Sequence, residues 1–319
     1  MVELSTLDVD RIRAAHERIR AYIHRTPVLT SARLDKGSRA SLFFKCENFQ
    51  KIGAFKARGA ANAVFALDEA TAKRGVATHS SGNHGAAVAR AARLRGIPAH
   101  IVMPSNSAKV KIRAVESYGA QVVFCEPTEE AREVTCAEAI KKTGATLIHS
   151  FENEHVIAGQ GTAAVELLED ISDLDVITCP VGGGGLLSGT AIAAKSMRPQ
   201  IKVIAAEPAN ADDTAQSFRA GRRLVTEKKF TIADGLRTNI GEPNFAIALR
   251  YVDGIVTVSE EAIVSAMRAI WETMKIVIEP SAAVPYAVIM ENKIDLPGKR
   301  VGIILTGGNV DLDALPWNL

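Results

Sequence analysis

The chain has 319 residues, 47% hydrophobic and 23% charged, with a formal net charge of +2. That length suits about two domains of roughly 100–200 residues each, and the near-zero charge argues against nucleic acid as a partner. Cys46, Cys125, Cys136 and Cys179 form no CxxC pair and no zinc spacing with the seven histidines, which points to a reduced, cytoplasmic setting.

The first ten residues, MVELSTLDVD, hold three acids and no apolar run, so no signal peptide is expected. The longest apolar run, AAVPYAVIM, is too short to cross a bilayer. Ile12, Ala15, Ile19, Tyr22 and Ile23 share one helical face with arginines opposite, and that helix should stop before Pro27. SLFFKCE (41–47) reads as a strand and FKARGAANAVFAL (55–67) as a helix. Apolar strands then recur at GVATHS (75–80), AHIVM (99–103), QVVFC (121–125) and TLIHS (146–150). Between them lie the helical stretches HGAAVARAARLR, AKVKIRAVESYG and EEAREVTCAEAIKKT. The rhythm returns with strands at DVITCPV (175–181), IKVIAAE (201–207), GIVTVS (254–259) and RVGIILT (300–306). Strands alternating with helices predict an α/β fold of two open, mostly parallel domains.

Ligands of such sheets bind beyond the carboxyl ends of the strands. Three unusual loops follow strands: SSGNHG (80–85), GGGG (182–185) and TGGN (306–309). Four glycines let the backbone approach a ligand, and the helix expected from Leu186 turns its positive end toward an anion. This suits a phosphate cup, with a tight strand–helix turn as the plain alternative. A dinucleotide fingerprint would need glycine where Leu187 or Ser188 stands, and no GK[ST] follows. In SSGNHG, Ser80 and Ser81 can cap the helix, and capping alone would account for them; Asn83 and His84 exceed what a cap needs. Thr306 can place a hydroxyl at the end of the last strand, although a turn is the default there.

Lys56 sits at a helix start, where a positive charge is mildly disfavoured. FKARGA, SSGNHG, GGGGLLSG, AAEPANADD, IADG and TGGNVD occur in one order along the chain. This set resembles the fold type II (tryptophan synthase β-like) pyridoxal 5′-phosphate enzymes, within them the serine/threonine dehydratase and serine racemase family. The resemblance runs from RTPV (25–28) to TGGNVDL (306–312).

The resemblance implies a Schiff base between Lys56 and the cofactor, Phe55 near the pyridine ring, and Asn83 on its 3-hydroxyl. It puts the backbone N–H groups of Gly182, Gly183, Gly184, Gly185 and Leu186 on the phosphate, and Thr306 on the pyridine nitrogen. Lys56 would remove the Cα proton, and Ser81 would act from the opposite face in a racemase. The substrate carboxylate would lie in Ser80, Ser81, Gly82, Asn83 and His84, with Arg132 near the substrate entrance. Glu207, the Ala211 carbonyl and Asp213 would hold Mg²⁺, Ca²⁺ or Mn²⁺, where spacing alone reads as an acidic loop.

The implied reaction is dehydration of L-serine, L-threonine or threo-3-hydroxyaspartate to a 2-oxo acid and ammonia; the alternative is serine racemase with side elimination. A larger cofactor domain (1–72 and 150–319), a smaller mobile domain (73–149) and a homodimer are expected. Departures are Ala54 where many members have serine, and Ser150-Phe151 in HSFENEH. With ten residues after Asn309, the regulatory domain of biosynthetic threonine deaminases is not expected.

Overall fold

The computed structural model describes residues 7–227 and 230–317, with only the backbone of Val110. The first six residues of MVELSTLDVD lie outside the described residues, so the expectation about a signal peptide falls largely there. Ten strands are present among the described residues: β1 (Val28–Leu29), β2 (Ser41–Cys46), β3 (Val76–His79), β4 (Ala99–Pro104), β5 (Gln121–Cys125), β6 (Thr146–Leu147), β7 (Val176–Pro180), β8 (Lys202–Pro208), β9 (Gly254–Val258) and β10 (Arg300–Leu305). They form a six-stranded sheet, β1-β2-β10-β7-β8-β9, and a four-stranded sheet, β5-β4-β3-β6. Neighbours in both sheets are parallel except β1 and β2.

The α/β alternation therefore stands, with two local departures. β1 is antiparallel and only two residues long, too short to carry a periodic signal. TLIHS pairs only through Thr146 and Leu147 before the chain leaves the sheet. The helix read from Ile12 onward spans Val9–Ile19, short of the limit set by Pro27.

The larger sheet is buried on both faces. Phe43 and Ile304 join one apolar cluster, while Leu42, Phe44, Ile303 and Leu305 join the other. This is why β2 and β10 read as continuous apolar runs. Helix ends follow local chemistry: Thr128 accepts from the Ala131 N–H at the start of Glu129–Thr143, and Gly144 ends that helix at φ +72°.

One helix organises the site. Glu154–Asp170 is capped by Asn153 and is buried from Val156 through Leu168. Helix Lys56–Phe65 crosses it where Gly59 meets Gly159: a Cβ on Gly159 would lie 2.6 Å from the Gly59 Cα. Helix Gly185–Met197 crosses it where a Cβ on Gly189 would lie 2.6 Å from the Gly161 nitrogen. Backbone-to-backbone packing thus fixes the helix that begins at Lys56 and the helix that follows the four glycines against one common support.

Candidate active site

Lys56 is anchored to the carboxyl end of β10. Ala54 makes an antiparallel bridge with Gly307, and the Phe55 N–H donates to the Thr306 carbonyl at 2.9 Å. The Lys56 Nζ donates to the Ser150 carbonyl at 2.8 Å and lies 5.2 Å from the centre of the Phe55 ring. Burial of the amine pushes its pKa down from 10.5 to about 8.

SSGNHG joins β3 to helix Asn83–Arg95, and here one expectation is corrected. Neither serine caps that helix: the cap position is Gly82, with no side-chain bond. The Ser80 Oγ instead accepts from the Gly82 N–H at 3.3 Å, within the turn. Ser81 is half-buried. The Asn83 side chain reaches across to Glu279 and Asn309. His84 is buried, with its Nε2 2.9 Å from the Ile148 carbonyl. Burial, reinforced by the charge of Lys56, pushes His84 down to about 3, so the ring is neutral and donates from Nε2.

The four glycines are required by their neighbours. A Cβ on Gly183 would fall 2.2 Å from the Phe151 ring, and one on Gly185 would fall 3.1 Å from the Phe151 Cα. Gly184 has φ +92°, a left-handed conformation that costs glycine little. Asn244 braces the loop, donating to the Gly183 and Phe151 carbonyls at 2.8 Å each. The helix begins at Gly185, one residue earlier than read from sequence. Among the described residues, none accepts a hydrogen bond from the backbone N–H groups of Gly182 to Leu186. Such donors at a helix N-terminus suit a phosphate.

Thr306, at the end of β10, is 2% exposed, and its hydroxyl has no hydrogen-bond partner among the described residues. A buried orphan hydroxyl is costly unless a ligand engages it. Together with the unmatched glycine N–H groups and the deprotonation-prone Lys56, it fits pyridoxal phosphate.

Arg132 lies in helix Glu129–Thr143 beside His79, with a buried Nε that has no partner among the described residues. No hydrogen bond among the described residues ties it to Lys56 or Asn83. Glu207, Ala211 and Asp213 are buried at the carboxyl end of β8. Glu207 accepts from the Thr214 and Ala215 N–H groups, and Asp213 accepts from the Ile240 N–H at 2.7 Å. Burial, then the charge of Asp213, pushes Glu207 up to about 8. Among the described residues, no group of three or more His, Cys, Asp or Glu side chains is placed to hold a metal. Any ion here would rest on two carboxylates, a carbonyl and water.

Three features escaped the sequence reading. Phe151 fills the space that the glycines leave. Glu279 receives the Asn83 amide. Lys45, Glu47, Arg58 and Glu166 form a buried ion network. EPSAA carries no periodic or loop signal, and the four charges look like solvated ones in sequence.

This α/β architecture, with a half-buried lysine near a glycine loop whose N–H groups are unmatched among the described residues, is that of a cofactor-dependent enzyme. The chain belongs to the pyridoxal-phosphate dependent enzyme family, whose profile matches residues 19–307. It is 50% identical to β-hydroxyaspartate dehydratase of Paracoccus denitrificans over 305 residues, 96% of this chain and 97% of that one. It is 48% identical to serine racemase of Dictyostelium discoideum over 321 residues, covering 99% and 98% of the two chains. The crystal structure of a threonine deaminase from T.th. superposes with a TM-score of 0.91 at 42% identity, covering 96% of this chain and 99% of that one.

Proposed function

We propose that the chain is a hydroxyamino-acid dehydratase, an ammonia-lyase that converts L-serine, L-threonine or threo-3-hydroxyaspartate to a 2-oxo acid and ammonia. The observation that carries this reading is the unpartnered, neutral Thr306 hydroxyl at the end of β10. A hydroxyl facing the pyridine nitrogen leaves it unprotonated, which suits elimination and proton exchange better than transamination.

Pyridoxal phosphate, when bound, supplies an electron sink for charge developing at the substrate Cα. Lys56 holds it covalently, the N–H groups of Gly182 to Leu186 bind its phosphate, Thr306 and Asn83 fix its ring, and Phe55 packs beside it. Ser80, Ser81, Gly82, Asn83 and His84 form the loop that orients the substrate carboxylate, with Arg132 at the entrance. The Lys56 amine would take the Cα proton of the bound substrate. Its depressed pKa keeps a useful fraction neutral near pH 7. The Cα proton and the β-hydroxyl would leave together as water, and hydrolysis of the released enamine would give the 2-oxo acid and ammonia.

A second reading, racemisation, would use the half-buried Ser81 as the group that returns a proton from the face opposite Lys56. The likeness to serine racemase supports it equally.

Residues 73–149 act as a smaller mobile domain that closes over the substrate and excludes water. The contacts of Asn83 with Glu279 and Asn309 join it to the larger part, residues 1–72 and 150–319. Superposition of ligand-free and analogue-bound crystals without relative motion would refute the closure. Glu207, Asp213 and the Ala211 carbonyl bind Mg²⁺, Ca²⁺ or Mn²⁺ away from the chemistry, and the enzyme works as a cytoplasmic homodimer. The four buried free cysteines suit a reducing compartment.

The test is a product assay on protein supplied with pyridoxal phosphate and Mg²⁺, using each of the three substrates. Oxo acid far exceeding D-isomer establishes the ammonia-lyase, and D-serine forming as fast as pyruvate establishes the racemase.

A further inference from the structure

Glu279 has no role in the reaction above, yet it lies between two of the residues the reaction needs. It precedes helix Pro280–Met290 and is 5% exposed. Its N–H donates to the Gly307 carbonyl at 2.9 Å, which holds it against the loop after Thr306. The carboxyl group packs directly on that loop: a Cβ built on Gly307 would lie 2.7 Å from the Glu279 Oε1. Both carboxyl oxygens accept from the Asn83 Nδ2, at 3.1 Å each.

The other end of the Asn83 amide is fixed as well. Its Oδ1 accepts from the Asn309 Nδ2 at 2.8 Å, and that nitrogen also donates to the Ile52 carbonyl at 2.8 Å. Turning the Asn83 amide over would face its oxygen to a carboxylate and its NH₂ group to another NH₂ group. Glu279 and Asn309 therefore leave Asn83 a single orientation.

We propose that Glu279 is a positioning residue for the cofactor ring, acting through Asn83, and that its charge sets the proton balance on the ring's 3-oxygen. This rests on the reading that Asn83 faces that oxygen. The carboxylate opposes negative charge on the oxygen, while a neutral Glu279 permits it. Burial, against the Asn83 hydrogen bonds, pushes Glu279 up to about 7, so it changes charge near neutrality. The charged groups that act on it are Asp234, which raises its pKa, and Lys111, which lowers it. These two pair with each other at 3.1 Å.

The experiment is a spectroscopic pH titration of the holoenzyme, with pyridoxal phosphate affinity measured on the same proteins. In the parent enzyme the ratio of the visible band to the near-ultraviolet band should fall as pH rises through neutrality. Glu279→Gln should abolish that dependence and weaken cofactor affinity about tenfold, as expected for loss of one charge-assisted hydrogen bond. Glu279→Asp keeps the charge but withdraws it from Asn83. It should retain the pH dependence and still lose about tenfold in affinity.

A parent spectrum independent of pH overturns the proposal, as does a Glu279→Gln protein that matches the parent in both readouts. If circular dichroism shows Glu279→Gln unfolded, Glu279→Asp decides, and unchanged affinity there overturns the proposal. A parent protein that takes up no pyridoxal phosphate at all is a different failure, that of the proposed function itself.

Discussion

Arg58 grips Glu166 through two nitrogens, Nη1 and Nη2, each 2.8 Å from a carboxylate oxygen, and both side chains are buried. The Arg58 Nε and Nη2 also donate to Glu47 at 2.7 and 2.8 Å, and Lys45 donates to Glu166 at 2.6 Å. Two cations and two anions thus share one buried site. Arg58 lies one residue beyond Ala57 from Lys56, so this network ties the start of the Lys56 helix to β2 and to helix Glu154–Asp170.

Removing one partner from a buried network leaves the others without compensation. Arg58→Met should destabilise the protein by about 3–5 kcal/mol, read as a lower denaturation midpoint in urea. A change below about 1 kcal/mol, the range of exposed pairs, would show that the network is solvated in solution.

The same network makes the protein acid-sensitive. Burial opposes ionisation of Glu166, but hydrogen bonds and charge from Arg58, with Lys45, hold it down to about 2. A carboxylate depressed below its ordinary 4.5 contributes stability that is present above that value and lost as pH falls toward 2. Stability should decline across that window, and Glu166→Gln should flatten the decline.

Lys56→Ala should abolish turnover and the visible absorption of the lysine-bound cofactor. In the parent apo-protein, only the neutral amine attacks the aldehyde. The rate of cofactor capture should therefore rise with pH and level off above about 8, in line with the depressed Lys56 pKa. Stopped-flow absorbance measures both. A normal spectrum in Lys56→Ala would remove the assignment.

Gly183→Ala pushes a methyl group into the Phe151 ring. Overpacking of this kind costs about 1–3 kcal/mol and should weaken cofactor binding through the displaced loop. Adding Phe151→Ala should restore part of the affinity, and the double-mutant cycle gives the coupling. Additive losses would mean that Phe151 does not shape the cup.

Mg²⁺ or Ca²⁺ should raise the melting temperature of the parent protein but not that of Asp213→Asn, because ion binding only to the folded state stabilises it. No shift with any divalent ion in the parent protein would leave Glu207 as a cap on the N–H groups of Thr214 and Ala215, and Asp213 as an acceptor for the Ile240 N–H.

The sequence alone determined the alternation of strands and helices, the loops at strand ends, and the order of motifs that singles out Lys56. These signals are local: apolar period, glycine runs and turn residues within about ten positions. Tertiary structure decided what the loops meet. Asn83 and Glu279, 196 positions apart, touch because the loop after β3 meets the loop after β10, on which Glu279 is held. Phe151, just ahead of helix Glu154–Asp170, meets Gly183 because the helix after the four glycines packs on that same helix. Lys45 and Arg58, which look like solvated charges in sequence, are buried because helix Glu154–Asp170 brings Glu166 to them, 121 and 108 positions away. Contacts between such distant residues depend on strand order and helix crossing, which no local period encodes.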